Sequence, residues 1–137
     1  MTEDDVIKEF GFVVRSADLP RIRSLLVQET SKMKTSKGNE ALARLLCVQL
    51  FAHGNVEDSL LVWRAKRSNF DAGSAIDVQL MCGAGLEATQ EYLRNAQSDE
   101  AAEALKYLNE CERAGDFQSW SPHQHLDFWH NYYKKLL

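Results

Sequence analysis

The stretch Asn39-Glu-Ala-Leu-Ala-Arg-Leu-Leu-Cys-Val-Gln-Leu-Phe-Ala-His-Gly54-Asn-Val-Glu-Asp-Ser-Leu-Leu-Val-Trp63 decides the fold class. Leu42, Leu45, Leu46, Leu50 and Phe51 recur at the three- and four-residue spacing that puts side chains on one side of an α-helix. Asn39 stands where a helix needs a side-chain acceptor for its first free N–H groups. Gly54-Asn55 then stops one helix and starts another, which carries Leu60, Leu61, Val62 and Trp63. Two helices joined by so short a turn must run antiparallel, as a helical hairpin.

The same pattern extends in both directions, and strand-like alternation over more than four residues is hard to find. Upstream, Thr2 is a cap for a first helix with Val6, Phe10, Val13 and Val14 on its stripe and Asp4 and Asp5 at its positive end. Leu19-Pro20 opens a second helix through Ile22, Leu25, Leu26 and Met33, since proline suits a first turn. Lys34–Asn39 is the longest loop. Downstream, a short fifth helix is expected over about Ala75–Cys82, with Asp71 as a cap and Asp77 placed to meet Arg64 or Arg67. Gly83-Ala-Gly85 leads into a sixth helix with Tyr92 and Leu93. Ser98-Asp-Glu opens a seventh, with Ala102, Leu105, Leu108 and Cys111. Ser121-Pro122-His123-Gln124 has the form of a capping box and opens the last. The expectation is an all-α fold of stacked antiparallel hairpins, an α-α superhelix of about eight helices in a single domain spanning 1–137.

A repeat lies within this order. Arg15-Ser-Ala-Asp-Leu-Pro, Ala52-His-Gly-Asn-Val-Glu, Cys82-Gly-Ala-Gly-Leu-Glu and Arg113-Ala-Gly-Asp-Phe-Gln share a layout of small, polar and apolar residues. Gly54 to Gly85 spans 31 positions and Gly85 to Gly115 spans 30. Two helices per fixed period of this length is the mark of a helical solenoid, in which one hairpin cannot bury its own apolar face but stacked hairpins can. The unit Gly54, Asn55, Val56, Glu57-Asp58, Ser59 and Trp63, running to Lys66 and preceded by Ala43, Leu46 and Leu50, resembles the second half of a tetratricopeptide repeat. The other turns share the period and not the motif. That resemblance implies a scaffold that binds protein partners in a concave groove and has no catalytic residues. Arg44, Gln49 and His53, on the first helix of that hairpin, are then the expected groove residues.

Composition bounds the function. The chain has 16 Lys and Arg against 20 Asp and Glu, a net charge of −4, which argues against general nucleic-acid binding. Residues 1–70 carry 11 basic and 9 acidic side chains and residues 71–137 carry 5 and 11, so the halves differ in sign. Arg21, Arg23, Lys32, Lys34 and Lys37 make one basic patch and Arg64, Lys66 and Arg67 another. No apolar run is long enough for a transmembrane helix. The acidic start, MTEDDVIKEF, is unlike a signal peptide. Cys47, Cys82 and Cys111 are widely spaced, without a CxxC, and read as buried free thiols of a cytoplasmic protein.

Chemistry has few footholds. His123, Asp127 and His130 share a face of the last helix, and two imidazoles with a carboxylate are proper ligands for zinc or iron. A metal-dependent or acid–base enzyme centred on them is therefore a rival to the scaffold, although the HExxH spacing is absent. His125 falls on another face. No Gly-x-Ser-x-Gly and no phosphate-cradling loop occurs, and no cofactor is expected. Aromatic residues crowd the C-terminus. Leu126, Trp129 and Tyr133 fall on one stripe and Phe128 and Tyr132 on a neighbouring one. So wide a surface suits either closure of the core or a partner, with Trp120, Phe128 and Tyr132 as contact residues. A second copy of the chain, giving a homodimer through this helix, is the third possibility.

Overall fold

The computed structural model describes residues 1–137 and is all-helical, with eight α-helices and no strand. They are α1 (Glu3–Phe10), α2 (Leu19–Lys34), α3 (Glu40–His53), α4 (Ser59–Lys66), α5 (Phe70–Ala75), α6 (Leu86–Asn95), α7 (Asp99–Arg113) and α8 (Pro122–Tyr133). Short 3-10 turns precede α2 and α4, join α5 to α6 and end the chain. No helix is long and apolar enough to cross a membrane.

Local chemistry sets most helix ends. The Thr2 hydroxyl accepts the Asp5 N–H at 3.2 Å and the Asp5 carboxylate accepts the Thr2 N–H at 2.9 Å, a reciprocal cap on α1. Asn39, Ser98 and Ser121 cap α3, α7 and α8 in the expected places. At Ser121 only half of the box forms, because the hydroxyl accepts the Gln124 N–H at 3.3 Å and no bond returns from the Gln124 side chain. Gly11, with φ near 75°, ends α1 at Phe10, so Val13 and Val14 leave the helical stripe. Val14 turns inward and Val13 is exposed.

The region after α4 departs from the expectation. The helix occupies Phe70–Ala75, and Val78–Met81 is a 3-10 turn. The cap is Asn69, whose carbonyl accepts the Ala72 N–H at 2.7 Å, and Asp71 is exposed. The Asn69 amide also donates to the Met33 carbonyl and to Glu40, tying this connection to the α2–α3 hairpin. Asp77 meets neither Arg64 nor Arg67. Those arginines bind Glu100 (2.6 and 2.8 Å) and Glu103 (2.5 Å) on α7.

Helix α3 is the centre of the molecule. Leu42, Ala43 and every residue from Leu45 to Phe51 are buried. A helix apolar on all sides needs neighbours on all sides. It packs on α2, α5, the Val78–Met81 turn and, from the two ends of the chain, on α1 and α8. Helices α6 and α7 form an outer hairpin that reaches the rest through α4 and the Val56–Asp58 turn before it. The turn before α6 lies directly on the end of α3. A Cβ at Gly83 would stand 2.6 Å from the Phe51 carbonyl oxygen, so only glycine fits there. Arg23 fixes α2 to the α3–α4 connection through two bonds to the buried Asp58, at 2.8 and 3.1 Å.

The buried lysine Lys66 closes α5. Its ammonium donates to the Gly73 carbonyl at 2.7 Å and the Ile76 carbonyl at 2.5 Å. A cation at a helix C-terminus meets both the free carbonyls and the negative end of the dipole. Burial nevertheless pushes its pKa below 10.5, with Asp77 pulling the other way.

Candidate functional site

Helix α8 starts at Ser121-Pro122 and then divides its aromatic side chains between two edges. Trp129 and Tyr133, four apart, are buried, and α8 packs on α3. Phe128 and Tyr132, also four apart, form the outer edge and remain 58% and 38% exposed. Phe128 sits edge-on to Trp129 at 5.1 Å between ring centres, and Tyr132 edge-on to Trp129 at 5.3 Å. The outer pair thus rests on the inner one, held in place and open to solvent.

Arg44 rises from α3 into this array. Its guanidinium lies 5.2 Å from the Trp129 ring centre and 5.0 Å from that of Tyr132, and it donates to the Tyr132 hydroxyl at 2.9 Å. The Lys135 ammonium lies 4.2 Å from the Tyr132 ring. Tyr132 is therefore flanked by two cations, a favourable arrangement for its π-cloud.

The N-terminal half of α8 has the opposite charge. His125 points inward, ringed by Phe51, Trp120, Phe128 and Trp129 at 5.6–6.3 Å. The Trp129 indole N–H donates to His125 Nε2 at 3.2 Å. An indole nitrogen can only donate, so Nε2 must accept and the imidazole is neutral, with its proton on Nδ1. Burial acts in the same direction, holding the His125 pKa below 6.5 against the pull of Asp77. The Asp77 carboxylate lies 3.6 Å from the same Nε2. Burial raises the Asp77 pKa above 3.8, while His125, Lys66 and Arg44 oppose that rise. A cleft of about 320 Å³ opens here, and Asp77, Asp116, Trp120, His125 and Phe128 are among the residues that line it. Ser119, in the cleft wall, takes the left-handed conformation at φ 56°.

The residues expected from the sequence fare differently. Gln49 is fully buried and donates to the Gly11 carbonyl at 2.8 Å. His53 Nε2 lies 2.5 Å from the Val14 carbonyl oxygen. Both hold the Gly11–Val14 segment against α3, so Gln49 is no part of an open groove and the ring of His53 is engaged within the chain. Arg44 is half-buried under α8. Trp120 is also half-buried, 5.1 Å from Phe117 and 6.4 Å from Phe51 between ring centres. Phe128 and Tyr132 are exposed as expected.

The histidine cluster does not assemble. His123 and Asp127 come within 3.5 Å on the open surface, but His130 packs against Phe12 at 5.2 Å between rings, and no three His, Cys, Asp or Glu side chains converge as a ligand set. The second basic patch is spent on structure, Arg64 and Arg67 on α7 and Lys66 on α5; of the first, Arg23 pairs with Asp58 and Lys32 lies 4.0 Å from Glu29, while Arg21, Lys34 and Lys37 form no ion pair. All three thiols are buried and free. Burial pushes each upward, Cys82 to about 12, so none is poised as a nucleophile at neutral pH. The pairing of His125 with Asp77, which the structure brings together, escaped the sequence reading. The one local signal was the four-residue spacing from His125 to Trp129.

No protein-family model, curated protein or solved structure matches the chain.

Proposed function

We propose that the protein is a non-enzymatic protein–protein interaction module, a small cytoplasmic helical scaffold or adaptor that docks its partner on the outer edge of α8. One observation carries this reading. Phe128 and Tyr132 stand side by side, 58% and 38% exposed, on a rigid aromatic base. Large aromatic side chains held in one conformation lose little freedom on binding and dominate the energetics of interfaces. The flanking Arg44 and Lys135 give that edge polar contacts for register. The tetratricopeptide resemblance of Gly54–Lys66 supports the same class of function. The reading moves the contact from a concave groove on α3 to the outer edge of α8, because α1, α8 and the Gly11–Val14 segment cover α3.

The test is capture of partners from native lysate with the wild-type chain and with Phe128→Ala and Tyr132→Ala. Removing α8 altogether would be a poor control, since Trp129 and Tyr133 belong to the core. A stoichiometric protein retained by the wild type and lost by both variants, at unchanged melting temperature, is the expected result. Equal retention by all three would overturn the assignment of the surface. A mass that doubles with concentration in the wild type, and not in the variants, would identify the partner as a second copy.

A further inference from the structure

The cleft beside His125 contrasts with the α4–α7 face. On the α4–α7 face the carboxylates of Glu100 and Glu103 are satisfied by Arg64 and Arg67. In the cleft, Asp77 and Asp116 form no ion pair with any Lys or Arg, and no Lys or Arg lines the walls. The only basic group beside Asp77 at bonding range is His125, which the Trp129 N–H holds in its neutral form. Two carboxylates from separate elements thus line one recess together with the Trp120, His125 and Phe128 rings. The ring of His125 lies nearly parallel to that of Phe128, at 21° and 6.3 Å, and Trp120 closes the wall at 6.0 Å from the imidazole. The Trp120 indole N–H has no partner within the chain.

Carboxylates and aromatic rings that line one recess, large enough for a side chain, are complementary to an organic cation. We infer that this cleft is the specificity pocket of the docking surface and receives an arginine side chain of the protein partner. Arginine fits better than lysine. Its flat guanidinium can lie against the aromatic wall while its fork of N–H donors reaches carboxylates in the ring plane. This inference rests on the interaction-module reading and adds the chemistry of the partner to it. The partner carries a basic residue beside the apolar contacts that meet Phe128 and Tyr132.

The decisive experiment titrates the full chain, ¹⁵N-labelled, with N-acetyl-arginine amide and, separately, with N-acetyl-citrulline amide at matched ionic strength. Citrulline has nearly the same shape and no charge. Saturable shifts of the Trp120 indole and the Ser119 and Gln124 amides are expected with arginine, with a millimolar dissociation constant and at least fivefold weaker binding of citrulline. Asp77→Asn with Asp116→Asn should weaken arginine binding at least tenfold at an unchanged melting temperature. Asp116→Asn alone, at an exposed side chain, should give part of that loss and guards against a folding defect in the double variant. Equal shifts with citrulline, shifts elsewhere on the molecule, or full binding by the double variant would overturn the inference. The two readings fail separately. A captured partner lost by Tyr132→Ala but held at full affinity by the double variant would leave the module standing and remove the arginine pocket. A saturable arginine site with no partner dependent on Phe128 or Tyr132 would do the reverse.

Discussion

Helices α3 and α8 both carry runs of large apolar side chains, and the fold uses them in opposite ways. Helix α3 is enclosed by α1, α2, α5, α8 and a 3-10 turn, and its middle has no exposed residue. Helix α8 arrives last, lies along one flank of α3, and buries Trp129 and Tyr133 while Phe128 and Tyr132 remain outside. Polar groups follow the same division. Two polar side chains of α3, Gln49 through its amide nitrogen and His53 through Nε2, are engaged by backbone of the N-terminal segment. Those around α8 include Asp77, Asp116 and the Trp120 indole, which lack such partners. The difference separates what holds the chain together from what the chain has left over for other molecules.

The largest effect should come from α3. Leu46→Ala empties space at a fully buried position and should cost about 2–5 kcal/mol, read from chemical denaturation. A loss below about 1 kcal/mol would mean that α3 can collapse onto the gap and is not the rigid centre described. Next comes a contrast of two aspartates. Asp58→Ala strands the Arg23 guanidinium and should cost about 1–3 kcal/mol. Asp77→Asn removes a charge that burial already disfavours and should leave stability at pH 7 unchanged or raised. If the two variants lost stability equally, the difference drawn between paired and unpaired carboxylates would break.

A smaller effect concerns acid. Burial holds His125 below 6.5, so between its native value and 6.5 the unfolded chain binds the additional proton. Its contribution to stability is complete above pH 6.5 and is lost as pH falls through that window. Asp77 has the opposite sign. Its raised value means that stability is lost as pH rises from 3.8 through its native value. Melting temperatures at pH 7.5 and 5.5 should therefore fall on acidification more in the wild type than in His125→Gln. Parallel curves would show that the imidazole is not held neutral. The smallest effect is expected at Phe128→Ala, within about 0.5 kcal/mol by denaturation, as for an exposed side chain. A cost equal to that of Leu46→Ala would place the outer edge of α8 within the core.

Much of this order was legible locally. Thr2, Asn39, Ser98, Ser121, Pro20 and Pro122 act at helix starts within a few residues of themselves, and short-range chemistry can be read from a string. The fifth helix was not. Val78, Leu80, Met81 and Cys82 are apolar because they are buried in a turn, and burial without a period imitates a helix that starts five residues too late. Ala72 and Ile76, four apart after Asn69, held the correct frame. The groove residues failed for a different reason. Gln49 and His53 look exposed on a helical wheel until Gly11–Val14 crosses them, a contact 38 and 39 positions away that leaves no local trace. Asp77 and His125 lie still farther apart, and they meet because α8 and the Val78–Met81 turn both pack on α3.

The three buried thiols give the molecule an internal clock. Cys47 lies in the middle of α3, Cys82 in the turn before α6, and Cys111 on the outer hairpin. A thiol with a raised pKa and little or no access to solvent reacts mainly during the moments when its surroundings open. Their order of alkylation therefore ranks the motions of the chain from edge to centre. Cys111, at 9% exposure, should react first and Cys47 last, on the timescale of complete unfolding. A partner seated on α8, which itself lies on α3, would lengthen the longest of these intervals. Binding at the surface could then be timed from a sulfur atom that never touches it.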